Sequence, residues 1–442
     1  MPPQQQNLAD RGMAAGLRAV NWFASTELVD RLGLRKPTER LLYNGSKTSV
    51  RVATAAGRRF AAVQRLGQPA RQAKTRTSDL FDITPDDEQQ MLTESVRDFA
   101  LARLRPAGAS ADAACSAPEE LLAQASELGL TMIGVPEELG GAVEQRSAVT
   151  SVLMAEALAE GDAGIAVACL ASAGVSTALS LWGDAEQQAT YLHEFVGESP
   201  PAAAVALLEP RPLFNPFSLS TSARREGGGF VLDGVKSLVP RAASDELFIV
   251  AATLDGAPAL FVIESSTSGL SVEPEPAMGL RAAGTGRLIL EGARVADGSL
   301  LGDGDPEVYR ECVQLGRLGW CAVSVGVGRA VLDYVRRYVN DRVAFGEPIS
   351  NRQAVAFMVA NIAIELEGMR LATLRAAGRV DQGASFSREV TVARRLCSEH
   401  GMNIGSDGVQ LLGGHGYTKE HPVERWYRDL RAAGLMEGAL VL

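Results

Sequence analysis

From Ile83 onward the apolar residues recur first at helical spacing, then at alternate positions, then at helical spacing again. The first pattern predicts helices over 86–104, 117–129, 145–160, 163–181 and 184–196. Thr84 is placed as N-cap, Pro85 in the first turn, and Asp86, Asp87 and Glu88 at the helix's positive end. The glycine-rich stretch 134–141 interrupts it as a turn-rich link. Between about 202 and 300 the runs AAVALLE, GFVLDGV, LFIVAATL, ALFVIES, LSVEPE and RLILEG are short, β-rich and divided by turn residues, with Asp233-Gly234 as a tight-turn pair. Strands this closely spaced, with no helices between them, predict an antiparallel sheet or barrel. Longer helical patterns return at 309–343, 349–380 and 386–412, followed by a glycine-rich turn and a short last helix. The expected fold class is α+β: a basic extension over 1–80, a helical domain over 81–201, a middle β domain over 202–304 and a C-terminal four-helix bundle over 305–442.

Charge changes the picture at one end. Residues 1–75 carry thirteen Lys/Arg against four acids, nine positive charges in excess, while the whole chain has a net charge of -10. Leu17, Val20, Trp22, Phe23, Leu28, Leu32 and Leu34 lie among those charges at roughly helical spacing. The leader therefore reads either as a peripheral membrane contact or as an extension lying on the protein's own surface. No nucleic-acid module accompanies it. The N-terminus lacks the apolar core of a secretory signal and no run of 18 apolar residues occurs, so the expected location is the cytoplasm. Cys115, Cys169, Cys312, Cys321 and Cys397 are scattered, which argues against a disulfide framework. His193, His400, His415 and His421 show no metal-ligand spacing, and no metal is expected; His400 and His415 read as structural.

Candidate chemistry concentrates near the C-terminus. Gln410-Leu-Leu-Gly413-Gly414-His415-Gly416-Tyr417 is followed by His421-Pro-Val-Glu-Arg425-Trp-Tyr-Arg428-Asp429 and then Glu437-Gly438. Three glycines beyond a long helix exceed the needs of a helix cap and permit close approach of backbone to a ligand or a neighbouring chain. The stretch resembles the closing segment of acyl-CoA dehydrogenases, down to the interval between Arg-Asp and Glu-Gly. Gly129-Leu-Thr-Met-Ile-Gly134-Val-Pro136-Glu-Glu-Leu-Gly140-Gly141 is similar to that family's N-terminal signature. Arg342-Val-Ala-Phe345-Gly346 with Gln353 is similar to another family element. The resemblance covers roughly 83–438.

The resemblance implies α,β-dehydrogenation of an acyl-CoA thioester with FAD as acceptor, and Glu437 as the base that takes the α-proton. Relatives that place the base on a bundle helix would have it at Gly316, beside Arg317. Arg317 and Gly438 are implied on the substrate side. Arg342, Phe345, Gln353, Gln410, Gly413 and Gly414 match positions that hold the FAD adenosine and pyrophosphate, some from a neighbouring subunit. A homodimer or homotetramer is thus implied, and an electron-transfer flavoprotein as electron acceptor.

The flavin-side motifs depart from the family. Its T-E-P-x-x-G-S-D stands here as Leu208-Glu209-Pro210-Arg211-Pro212-Leu213-Phe214-Asn215. Its later aromatic and hydroxyl are Leu238 and Pro240. Arg211, Asn215, Ser218, Ser220 and Thr221 are candidate replacements. Two other readings follow: a non-catalytic or regulatory subunit with an eroded flavin site, and an acyl-CoA oxidase.

Overall fold

Asp86, not Thr84, caps the first helix. Its carboxylate accepts from Gln89 N–H (2.8 Å) while the Gln89 side chain accepts from Asp86 N–H (3.1 Å), a reciprocal capping box that Thr84 lacks the spacing to make, and Pro85 falls outside the helix. The computed structural model describes residues 84–442 except Ala142 and Glu198; the predicted basic helices of 1–79 lie outside the described residues. Helix α1 (Asp87–Phe99) runs through a π turn, Ala100–Leu104, into α2 (Arg105–Ala114). The helix predicted to end at 104 continues past Pro106, which lacks an N–H and in a regular α-helix would collide with a carbonyl one turn back. The wider π turn relieves that collision and lets the helix continue.

Helices α3 (Glu119–Glu127), α4 (Ala148–Gly161) and α5 (Ala163–Trp182) follow, with short helical pieces from Ala185 to Val196. Asp162 caps α5 through Ile165 N–H (3.1 Å). Helix α5 and the later α6 (Pro306–Asp341) are long and apolar enough to cross a membrane, yet 89% and 78% of their most apolar windows are buried inside this fold. They are core helices here.

The middle region is an eight-stranded sheet: β1 (Ala203–Ala206), β2 (Ser222–Glu226), β3 (Gly229–Val239), β4 (Leu247–Leu254), β5 (Ala257–Glu264), β6 (Leu270–Pro274), β7 (Gly286–Ala296) and β8 (Leu300–Leu301). Strand order is β6-β7-β3-β2-β4-β5-β8, with β1 beside β4. The sheet is mixed, because β1 and β2 both run parallel to β4 while the other pairs are antiparallel. Asp233-Gly234 is not a turn. It lies inside β3 at a register shift against β7, where Asp233 accepts from Gly292 N–H (2.7 Å) and Arg224 (2.6 Å). The turn between β2 and β3 is made by Gly227 and Gly228.

Helix α6 leads through a two-strand hairpin, β9 (Val343–Ala344) and β10 (Glu347–Pro348), to α7 (Gln353–Asp381), α8 (Ser387–Leu412) and α9 (Val423–Ala433). The chain beyond α9 then passes inward. Ala439 N–H donates to Val205 O of β1 (3.1 Å), and Leu440, Val441 and Leu442 are buried against α5 and α6. Burying each such aliphatic side chain contributes about 1.5–3 kcal/mol. Gly319 on α6 permits the approach, since a Cβ there would stand 2.6 Å from Leu440 O.

Asp245, before β4, is 5% exposed and neither carboxylate oxygen has a hydrogen-bond partner. Burial pushes its pKa from 3.8 up to about 8, with Arg241 opposing and Glu246 adding to the rise. The folded state therefore keeps a proton that the unfolded chain releases near pH 4. Stability should fall as pH rises from about 4 to about 8 and level off above that. We expect Asp245→Asn to raise the urea midpoint at pH 8 and change it little at pH 5. Parallel denaturation curves at the two pH values check this; an equal effect at both would contradict it.

Candidate active site

Helix α9 places the C-terminal acid through charged side chains that turn inward. Arg425 Nε bonds Asp162 Oδ2 (3.0 Å), the same carboxylate group that caps α5. Arg428 forks onto both oxygens of Asp112 (2.9 and 3.1 Å) and onto Glu424 (2.8 and 3.2 Å). Asp429 accepts from Leu280 N–H (2.7 Å), and burial, with Asp162 nearby, lifts its pKa to about 7. The arginines and aspartate of the predicted motif thus fasten α9 to the first helical region and to the loop before β7.

Eight residues beyond Asp429, Glu437 meets Arg317 of α6. Arg317 Nε donates to Oε2 (2.9 Å) and Oε1 (3.1 Å), and Nη2 donates to Oε1 (2.8 Å). The two side chains are 10% and 19% exposed, so the pair is largely shielded from water. Phe217 lies beside it, with Arg317 Cζ 5.9 Å from the ring centroid, and Phe217 in turn packs edge-on against Tyr309 (6.3 Å). Tyr309 is fully buried and its hydroxyl donates to Pro216 O (2.5 Å). Gly438 adopts φ 74°, and Trp320 Nε1 donates to its carbonyl (2.8 Å). A Cβ on Gly438 would strike Leu207 at 2.7 Å, so both the backbone angle and the space require glycine. A Cβ at Gly316 would stand 3.3 Å from Gly438 Cα, leaving little room there for the alternative base.

A buried ion pair fixes the chain after β1. Lys236 Nζ sits 3.0 Å from Glu209 Oε1 and donates to Leu207 O (3.3 Å). Glu209 also accepts from Ser220 and Thr221 N–H (2.7 and 2.9 Å). Burial brings Lys236 down to about 8, while Lys236 and these N–H donors hold Glu209 below its ordinary range against the opposing pull of burial. Arg211, a candidate flavin contact, instead donates to Asn215 O (3.3 Å), Ser218 O and Ser220 Oγ (3.2 Å), and Asn215 Oδ1 accepts from Phe217 N–H (3.1 Å). These groups close their own loop. Thr221 Oγ1 is buried without a partner.

The remaining predicted cofactor residues lie elsewhere, on the surface. Arg342, Phe345, Gln353, Gln410, Gly413 and Gly414 are all exposed. Phe345 and Gly346 form the hairpin tip with φ 56° and 84°, and Phe345 is 96% exposed. A bulky residue held at positive φ with its ring in water is strain of the kind found at binding sites. Arg342, Gln353 and Gln410 make no side-chain hydrogen bond or ion pair among the described residues.

Close to Glu437 along the chain, a cavity of about 290 Å³ is lined by Leu238, Gly279, Leu280, Thr285, Leu435 and Met436, with Arg428 and Arg431 contributing as well. Leu238 N–H and Ser237 Oγ both donate to Glu275 (2.8 Å each), and Pro240 has no N–H to give. The residues present fit FAD: unpaired polar side chains for a dinucleotide and an apolar cavity for a flat ring, with few donors at the ring end.

His415, Glu420 and His421 bring ligand-type atoms within 4.8 Å of one another. Tetrahedral zinc, with bonds of about 2.0–2.1 Å, needs them at about 3.4 Å. His421 Nδ1 is bound by Tyr334 OH (2.6 Å), and its ring packs against Tyr334 and Tyr338. His400 lies 3.5 Å from Glu365.

Family models for the acyl-CoA dehydrogenase N-terminal, middle and C-terminal domains match residues 86–198, 204–293 and 307–440. The chain is 32% identical over 360 residues to the mitochondrial short-chain specific acyl-CoA dehydrogenase of Mus musculus, spanning 80% of this chain and 87% of that protein. It is 30% identical over 361 residues to 3-(aryl)acrylate reductase of Clostridium sporogenes, spanning 80% and 95%. Among solved structures, butyryl-CoA dehydrogenase from Megasphaera elsdenii is similar with a TM-score of 0.74 at 26% identity, covering 80% of this chain and 95% of that one.

The lean ring end has a measurable consequence. A neutral hydrogen bond is worth about 0.5–1.5 kcal/mol and an aromatic contact about as much. We expect the double substitution Leu238→Trp with Pro240→Thr to tighten FAD binding by about 5–150-fold. Fluorescence titration of the apo-protein measures it; equal dissociation constants would show that the pocket compensates by other contacts.

Proposed function

The chain belongs to the acyl-CoA dehydrogenase family of FAD-dependent oxidoreductases, and from that premise we propose that Glu437 removes the α-proton of an acyl-CoA thioester, giving a 2-enoyl-CoA. The observation that carries this reading is the state of the Glu437 carboxylate. It is nearly buried, is paired with Arg317, and is presented on a backbone segment held from both sides. Oε1 accepts two hydrogen bonds and Oε2 only one, so Oε2 keeps a lone pair to receive a proton. The guanidinium gives the nearly buried charge a partner, and a carboxylate held in one orientation suits the work of a general base.

FAD, when bound, accepts the β-hydrogen as hydride. Arg342, Gln353, Gln410 and the Gly413-Gly414 backbone would hold its dinucleotide end, where the arginine fork suits a pyrophosphate. Leu238, Leu280 and Met436 would line the ring. Phe217 lies against Arg317, its ring centroid 5.9 Å from Cζ. An electron-transfer flavoprotein is the fitting class of electron acceptor.

Glu437→Gln preserves shape while removing the proton acceptor. Stopped-flow reduction of bound flavin by an acyl-CoA should slow by about 10²–10⁴-fold, with the melting temperature close to that of the parent. Reduction at the parent rate would place the base elsewhere. The exposed set from Arg342 to Gly414 is proposed to reach the dinucleotide of a second copy, which makes the working unit at least a homodimer. Light scattering should then give twice the chain mass or a higher multiple; a monomer with full flavin occupancy would contradict this.

A further inference from the structure

Arg394 stands on α8, 43 positions before Glu437 in the sequence, and no motif singles it out. Its guanidinium makes no ion pair among the described residues. It is directed instead at three backbone carbonyls: Nη1 to Ala433 O (2.6 Å), and Nη2 to Gly434 O (3.1 Å) and Met436 O (2.6 Å). The first belongs to the last residue of α9, where carbonyls lack partners within the helix and a cation is favoured by the helix dipole. A helix cap would explain that bond. It does not explain the third, because Met436 lies beyond the helix and its carbonyl belongs to the peptide group that carries the Glu437 N–H.

We infer that Arg394 is a positioning residue for Glu437: it fixes the plane of the peptide from which the carboxylate projects toward Arg317. The inference rests on the reading of Glu437 as the base. Support on the other side of Glu437 comes from independent groups, Trp320 Nε1 on Gly438 O (2.8 Å) and Val205 O on Ala439 N–H (3.1 Å). Arg394 is therefore the side-chain donor upstream of the acid, and Trp320 the one downstream. The two arise from α8 and α6, which pack against each other in the bundle. Arg317 also comes from α6, one turn from Trp320 on the same face. The carboxylate is thus gripped by α6 directly and its backbone by α6 and α8 together. Planar guanidinium geometry matters here, because its five N–H groups form a rigid fork that a single ammonium cannot reproduce across three carbonyls.

Lysine at 394 would keep a cation at the end of α9 while losing the fork. Arg394→Lys and Arg394→Met are compared with the parent as full-length holoenzymes, with Glu437→Gln as control. For Arg394→Lys we expect a melting temperature near the parent's, kcat lower by about tenfold or more, and KM within about twofold, since a small misplacement of a reacting group is enough for such a loss. Amide exchange across 434–439 should quicken in the FAD-free form of both variants. Arg394→Met adds a loss of stability; should it fail to fold, the lysine variant alone decides. Parental kcat and parental exchange in Arg394→Lys, with Glu437→Gln inactive, would overturn the positioning role and leave the base intact. Full activity in Glu437→Gln would overturn both.

Discussion

A two-point contact between Arg317 and Glu437 is the interaction on which the site depends. A carboxylate that is only 10% exposed is costly to bury without a cation against it. Arg317 supplies that cation in the geometry that suits it best, two parallel N–H donors to two oxygens. Removing one partner of a buried pair typically costs about 3–5 kcal/mol, because the other charge is left unpaired. That energy holds the carboxylate in place, while the open lone pair on Oε2 leaves it able to take a proton.

Other charges inside the fold serve this contact at a distance. Asp162 caps α5 and holds Arg425; Asp112 and Glu424 hold Arg428; Asp429 holds Leu280 N–H. Together they join the start of the chain's helical region, the loop before β7 and α9, three parts far apart in sequence. Lys236 and Glu209 do the same for the chain after β1, where Leu207 faces Gly438. The fold can bury so many charges because nearly every one meets its opposite. Among the described residues Asp245 has both carboxylate oxygens unpaired and Asp429 bonds only Leu280 N–H, and burial raises the pKa of each.

The helices and strands were largely legible, some through the apolar spacing of one buried face and others, such as α4, α5 and β4, as apolar runs buried nearly throughout. The errors were local. Asp233-Gly234 has turn chemistry, but Arg224 and Gly292 engage Asp233 across the sheet and keep it within β3. Ser222–Glu226 is a strand absent from the predicted runs, since most of its side chains face water although it pairs on both sides. The helix predicted to end at 104 instead runs on through a π turn that accommodates Pro106. At the site, Glu437 and Gly438 were visible through a resemblance. The bonds of Arg317 to Glu437 and of Arg394 to Met436 O were not, since they join positions 120 and 42 residues apart and depend on how helices pack. Arg211 and Asn215, offered by the sequence as candidate flavin contacts, bond within their own loop.

The central claim is that Glu437 takes a proton from the carbon next to a thioester carbonyl. Proton removal can be watched apart from oxidation, by incubating the flavin-loaded protein with a saturated acyl-CoA in D₂O without an external electron acceptor. Mass and NMR analysis of the recovered thioester then reports deuterium at the α-carbon. The account predicts protein-dependent incorporation at that carbon alone. Recovered acyl-CoA with no α-deuterium above the protein-free control would contradict it.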